Sequence, residues 1–241
     1  IGAGMTLGEG AITLDELAPY YDRAEKSMGS THVHGRPPLP ANNNYKVFAN
    51  GAKEVGYRYY ATGPYATNAE EYDGRPASIQ DGFNFQGDKN KSKWSTLVRE
   101  IPRAAETGLL DLRPDSQAVQ ITHDSEGNAD AVLYLDGEGN LQRQAAKLVC
   151  VAGNSIETPR LLLLSGTPSF PDGLANSSGQ VGRNYMRHLT GTVWGHFDKP
   201  VRMYRGETMA GVIADESIHD PDRGFAGGYY METISLGPAF M

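Results

Sequence analysis

Cysteine is almost missing from this chain: its 241 residues include one, Cys150. A single thiol cannot form an intrachain disulfide or make a cysteine-only metal centre, so both are excluded. The compartment stays open, because proteins without disulfides occur in cytoplasm and periplasm alike. Long apolar runs are also missing. None reaches the roughly 18 residues that a membrane-crossing helix needs, and no charged leader ahead of an apolar stretch is visible from Ile1 onward. Positive charge is in deficit: 22 Lys and Arg stand against 29 Asp and Glu, for a net charge of −7. A nucleic-acid partner needs a basic face to meet phosphates, so that class of function is disfavoured.

What is present describes a folded chain. Hydrophobic residues make up 39% and charged residues 21%, a balance that supports a core. The length suits one large domain or two small ones. The 29 glycines announce many turns and close backbone approaches. The abrupt start at Ile1 and end at Met241 read as cuts within a longer sequence.

The clearest helix covers 13–29, where Thr13 and Glu16 make a capping box, Gly29 is a stop, and Leu14, Leu17, Tyr21 and Ala24 share a face. A loop at 34–44 leads to a second helix over 45–57, stopped at Gly56. Residues 61–93 lack periodicity and form a long irregular segment, which in a compact domain is functional or held by something else. A helix over 94–108 is expected to kink or split at Pro102. Alternation and turn residues then predict a β-meander: strands at 117–124 and 129–136, and a third and fourth within 141–153. The last of these, Leu148–Ala152, is wholly apolar and suits the buried centre of a parallel sheet. A helix over 155–165 follows, capped by Asn154 or Ser155, with Pro159 early in it. Residues 167–184 are loop-rich. From 190 onward the pattern is strand-like, as in an antiparallel sheet.

The strand–glycine–helix junction at Ala152–Thr158 carries the chemistry. Such an elbow presents backbone N–H groups at the carboxyl end of a strand, where open α/β sheets bind nucleotides. Gly153 lets a ligand come close. The plain alternative is ordinary strand-to-helix punctuation. The wider text, "AGNSIETPRLLLLSG", resembles the second signature of the glucose–methanol–choline (GMC) flavin oxidoreductases at Ser155, Thr158, Pro159, Leu161, Leu162, Ser165 and Gly166. Asn154 and the Thr167-Pro168 end depart from its commonest form. "LDELAPYYDRAE", "DSQAVQI" and "VGRNYMRH" resemble other stretches of the family in the same order, closest to its bacterial gluconate, sugar and polyol dehydrogenase branch. The resemblance implies FAD as cofactor and an alcohol or sugar as the small-molecule substrate. It implies a mixed α/β fold, part of a Rossmann-like FAD-binding domain with a β-meander over 94–166. Portions of an antiparallel-sheet substrate domain are implied at 1–93 and 167–241. Carried over by position, Ala118 pairs its backbone with the adenine. Ala152, Gly153 and Asn154 lie against the adenosine half, and Thr158 and Pro159 shape the helix start. For Leu161–Leu164 core packing is the plainer role.

Other features of the family pattern are missing from these residues. "IGAGMTLG" is not a dinucleotide fingerprint, since no strand precedes it and a second glycine-rich turn follows where a helix is required. The family's proton-accepting His and its partner have no counterpart among the six histidines. His32 and His34 sit in a proline-rich loop, His123 ends a strand, His188 falls in the matched loop, and His196 and His219 have no nameable partner. Some relatives hold an iron–sulfur cluster on a Cys-x5-Cys-x3-Cys stretch, and those positions are Ser78, Asn84 and Asp88 here, which lack the thiolates a cluster needs. A hard cation on Asp81 and Asp88 is a faint alternative to a solvated loop, and no metal site is predicted. Two readings follow: a central piece of an FAD-dependent alcohol or sugar oxidoreductase, or a non-catalytic module of the same family. An NAD(P) enzyme would rest on "IGAG" alone. An exposed sheet edge suggests that the chain joins a larger polypeptide, an electron-acceptor subunit or a second copy.

Overall fold

Two short motifs, Asp124-Ser-Glu-Gly-Asn128 and Asp136-Gly-Glu-Gly-Asn140, fold identically and shape one half of the structure. In each, the first Asp accepts backbone N–H groups two and four residues on, at 2.9 and 2.9 Å for Asp124 and 3.0 and 2.9 Å for Asp136. These Asx turns reverse the chain and join β2 (Gln117–His123), β3 (Ala129–Leu135) and β4 (Leu141–Ala145) into an antiparallel meander in that order. The computed structural model describes residues 12–82, 84, 87–218, 220–225 and 227–235. The glycine-rich opening and His219 lie outside the described residues. The chain divides into two compact units, Ile1–Leu109 with Gly195–Met241, and Leu110–Trp194. The architecture is mixed α/β, and every strand pairing among the described residues is antiparallel.

In the unit containing the meander, α4 (Asn154–Leu164) packs on β2. Ser165, fully buried just after the helix, donates to Leu161 O at 2.7 Å and accepts the Ile121 N–H at 2.9 Å. Ile121 and Ala131 are the buried apolar residues of the sheet among the described residues. The apolar stretch Leu148–Ala152 is not a strand, contrary to the pattern. Extended backbone becomes a strand only beside a hydrogen-bonded neighbour, and no described strand pairs with it. Leu148 is 86% exposed and Cys150 is exposed. The four leucines of α4 are not core either. Leu161 and Leu162 are half-buried, while Leu163 and Leu164 are exposed.

The other unit begins with α1 (Leu14–Met28), whose capping box is present as read: Thr13 Oγ1 accepts the Glu16 N–H, Glu16 Oε2 accepts the Thr13 N–H, and Gly29 ends the helix in the left-handed region. The apolar face expected on it is not buried, for Leu14 and Tyr21 are exposed. Polar anchors at its C-terminal end hold it instead: Tyr72 OH donates to Lys26 O and Arg75 Nη2 to Met28 O, at 2.8 and 2.7 Å. The second helix, α2 (Asn43–Glu54), starts two residues earlier than the pattern suggests, because Asn42 caps it by accepting the Tyr45 N–H at 2.8 Å. In the stretch read as one kinked helix, α3 runs over Glu100–Glu106 only. Pro102 is tolerated where the N–H groups are unused, in a first turn, so the helix begins just ahead of it.

Two-residue strands β1 (Tyr60–Ala61), β5 (Val212–Ile213) and β6 (Met231–Glu232) make a small sheet in the order β1-β5-β6. The longer strands expected from 190 onward do not form, and "TGTVWGHFD" has no strand. Val193 and Phe197 within it are exposed and gain no packing from alternation. The irregular 61–93 segment is held by buried polar side chains. Asn68, wholly buried, donates to Tyr72 O and Arg75 O, and Arg75 donates to Ser92 O at 2.8 Å. Each such bond contributes about 1 kcal/mol net, and the loss of one partner costs more.

Candidate functional site

The elbow is a self-bonded turn. Thr158 Oγ1 accepts the Gly153 N–H at 2.9 Å, and Asn154 Oδ1 accepts the N–H groups of Ile156 and Glu157 at 2.8 and 3.0 Å. Asn154 therefore acts as the helix cap although its backbone sits at φ 81°, a conformation Asn tolerates better than most residues. Ser155 makes no capping bond, which decides between the two cap candidates. With three N–H groups already satisfied by side chains, the turn has few donors left for a phosphate.

Gly153 has a negative φ of −85°, so its backbone does not require glycine. A Cβ built on it would meet its nearest neighbours at 3.5 and 3.6 Å, an ordinary contact distance. Neither conformation nor internal crowding accounts for the glycine. Its outer face is exposed, as is that of Ala152, so the elbow presents a smooth backbone wall that a flat group can approach. Thr158 and Pro159 are half-buried. Ala118 lies in β2 opposite Tyr134, exposed, next to a register irregularity that sets Val119 out of the ladder.

A cleft of about 780 Å³ opens beside α4, with Pro159, Arg160 and Leu163 on the helix and Arg183, Tyr185 and Met186 on the facing loop. Gly182 suits the approach of that loop: its backbone is left-handed at φ 76°, and a Cβ there would crowd Leu163 Cδ1 at 3.3 Å. The structure thus brings together two stretches the sequence singled out separately, 153–166 and 181–188. Of the predicted site residues, Gly153, Asn154 and Thr158 knit the elbow, Pro159 lines the cleft, Ala152 leads into the elbow, and Ala118 is not a lining residue. Ser165 and Gly182 were legible only as matched letters; their roles as anchor and spacer depend on the partners they meet.

The described histidines are engaged elsewhere or exposed. His32 Nε2 lies 2.7 Å from Thr62 O, and His34 sits against Glu25 and Asp22. His123 Nε2 lies 2.8 Å from Thr167 Oγ1, with its ring edge-on to Phe170. His188 and His196 are exposed. The three positions read against a cysteine cluster are taken up by the chain's own bonds. Ser78 Oγ accepts from Gln80, Asn84 Nδ2 donates to Glu207, and Asp88 Oδ2 accepts from Ser92 Oγ and the Lys93 N–H at 2.7 and 2.6 Å. Among the described residues no group of three His, Cys, Asp or Glu is arranged to hold a metal ion.

Comparison with known proteins supplies independent information. A family model described as GMC oxidoreductase matches residues 6–190. The chain is 31% identical to 2-methyl-1,2-propanediol dehydrogenase of Mycolicibacterium austroafricanum, over 95% of this chain and 44% of that protein. It is 29% identical to the gluconate 2-dehydrogenase flavoprotein of Pantoea cypripedii, over 95% of this chain and 43% of that one. It is 30% identical to the fructose dehydrogenase large subunit of Gluconobacter japonicus, over 74% and 35%. The chain spans less than half the length of each of these relatives.

Proposed function

Because the chain belongs to the GMC oxidoreductase family, we propose that the whole protein oxidises a CH–OH group of a sugar, polyol or other alcohol, with FAD as hydride acceptor. When bound, the flavin supplies that acceptor. The residues of this chain give the cofactor one wall. Gly153, flanked by Ala152 and Asn154, offers backbone against the adenosine half, and the Thr158 and Asn154 side chains fix the turn so that the wall is preformed. Pro159 sets the start of the helix behind it. Ala118, on β2 and outside that wall, is assigned a backbone contact with the adenine by the family resemblance alone. The observation that carries this reading is Gly153: neither its φ nor its neighbours exclude a side chain there, and its lack of one leaves the exposed elbow open to close approach by the adenosine half.

The same geometry limits the elbow's part. Three of its N–H groups are already taken by the Asn154 and Thr158 side chains, which leaves few donors for the pyrophosphate. In the domain reading, 94–166 belongs to the FAD-binding domain, and 1–93 with 167–241 to the substrate domain. The relative named as a large subunit supports an electron-acceptor subunit as partner.

Purified full-length gene product tests this directly. Acid denaturation is expected to release one FAD per chain, and anaerobic addition of a polyol or sugar is expected to bleach the flavin absorbance. Gly153→Val should lower the flavin content while leaving the far-ultraviolet circular dichroism unchanged. A full-length product with no flavin would refute the reading and favour the second one, a non-catalytic module of the same family. The 241-residue chain on its own is expected to hold no stoichiometric flavin, since the elbow supplies a wall with few phosphate donors.

A further inference from the structure

A second cleft lies in the other unit, where the turn before α2 meets Gln80 and the 202–206 loop; its volume is about 520 Å³, within the range of small-molecule sites. Its floor is built rather than left over. The Gly206 N–H donates to Gln80 O at 3.2 Å, and Asn42 Nδ2 donates to Glu207 O at 3.0 Å. Gly206 has φ 92°, and a Cβ there would lie 2.9 Å from Asn42 Cβ and 3.2 Å from Gln80 Oε1. Three chain segments therefore converge on one glycine, and any side chain at that point would force them apart.

Charge in this cleft is of one sign. Arg202 and Arg205 are its only charged lining residues among the described residues, in a chain whose net charge is −7. Several arginines of this unit have carboxylate partners, Arg36 with Glu70, Arg99 with Asp73 and Arg223 with Glu216, and buried Arg75 is spent on the Ser92 and Met28 carbonyls. Arg202 and Arg205 form no ion pair among the described residues. The acids nearest in sequence do not line the cleft. Glu207 is buried and accepts from Asn84, and Asp81 follows Gln80 outside the lining. Both Arg202 and Gln80 hold left-handed backbone, at φ 53° and 55°, a conformation non-glycine residues keep only where the surroundings impose it. Asn43 and Tyr204 add neutral hydrogen-bonding groups to the lining. The first turn of α2 is not the source of attraction, because Asn42 already takes the Tyr45 N–H.

We propose that this cleft binds the oxyanion of a small polar molecule, a carboxylate or a phosphate ester on a sugar-sized body, through the paired guanidinium groups of Arg202 and Arg205. Guanidinium matches the geometry of both oxyanions with parallel N–H donors, and two uncompensated cations in one concavity raise the local potential for an anion. The hydroxyls of the body face Asn43, Gln80 and Tyr204. This site lies in a different unit from the elbow and does not depend on the flavin reading.

Calorimetric titration of the 241-residue chain with D-glucose, D-glucuronate and D-glucose 6-phosphate tests it, since the three differ chiefly in the oxyanion. Saturable 1:1 binding is expected for at least one anionic probe and not for glucose. Glucuronate alone identifies a carboxylate site, and glucose 6-phosphate alone a phosphate site. Arg202→Gln and Arg205→Gln should each weaken binding at least tenfold with unchanged circular dichroism, and Lys199→Gln, outside the cleft, should leave it unchanged. The proposal is overturned if neither anion binds saturably, if glucose binds equally, or if Lys199→Gln weakens binding as much as Arg205→Gln does.

Discussion

Replacing Ser165 by Ala tests the joint between α4 and the meander. The hydroxyl bridges two backbone groups: it accepts the Ile121 N–H at 2.9 Å and donates to Leu161 O at 2.7 Å. Both ends are not equally hurt by its loss. Leu161 O still accepts the Ser165 N–H at 3.1 Å, whereas the Ile121 N–H faces the helix at a residue only 3% exposed and has no substitute acceptor there. A buried donor left unpaired costs about 1–3 kcal/mol. A loss of about 2 kcal/mol moves the unfolding equilibrium roughly 30-fold, and in a unit of this size it lowers the melting temperature by roughly 8–16 °C. Urea denaturation followed by circular dichroism measures the energy, and hydrogen exchange at the Ile121 amide reports whether the loss is local. Ser169→Ala, on the exposed turn nearby, is the comparison and should change little. If Ser165→Ala lies within about 0.5 kcal/mol of wild type, typical of a neutral surface change, or if Ile121 exchange is unaltered, the bridge is not what holds α4 to β2.

Asn154→Ala should cost about 1–2 kcal/mol, losing both the cap and a residue suited to positive φ, while Asn154→Gly should cost only a few tenths; equal losses in thermal melts would show that backbone conformation plays no part. Asp124 and Asp136 have their carboxyls held below the usual carboxylate range, chiefly by the backbone N–H groups of Asn128 and Asn140. A depressed folded-state pKa gives stability that is present above about pH 4 and lost as pH falls through the folded value, so acid titration should destabilise wild type more than the doubly substituted Asp124→Asn, Asp136→Asn chain. Glu207 is shifted the opposite way, raised chiefly by burial and partly offset by the Asn84 hydrogen bond. Its stability contribution therefore declines as pH rises from the ordinary carboxylate value toward the folded one. Glu207→Gln is expected to match wild type near pH 4 and to exceed it near pH 7 in urea midpoint, and an advantage for wild type at pH 7 would contradict the burial argument.

Local chemistry was legible wherever the bonding partners are close in sequence. The Thr13–Glu16 capping box, the Gly29 stop and the turns at 125–128 and 137–140 involve groups within a few residues of each other, and their spacing announces them; alternation announces the first three meander strands. Apolar patterning succeeded less often. Leu148–Ala152 reads as a buried strand and Leu14 and Tyr21 as a buried face, yet Leu148, Cys150, Ala152, Leu14 and Tyr21 are exposed and Val149 and Val151 only half-buried, because burial is a property of what packs alongside and not of the stretch itself. The same holds for the tail after 190, where pairing reaches only the two-residue strands β5 and β6 and the rest of the alternating stretch stays irregular among the described residues.

The sequence by itself determined the family, the elbow and the identities of the residues in it, since the signature letters of 153–166 are contiguous and their turn chemistry is local. Tertiary structure decided that Ser165 anchors α4 to β2. It also decided that Gly182 seats the 181–188 loop against the helix and that Arg202 and Arg205 share a cleft. Ser165 and Gly182 meet partners some twenty to forty residues away, and the 202–206 loop packs against residues more than a hundred positions distant. No sequence pattern encodes such meetings, because the side chains acquire their roles only when folding closes those loops.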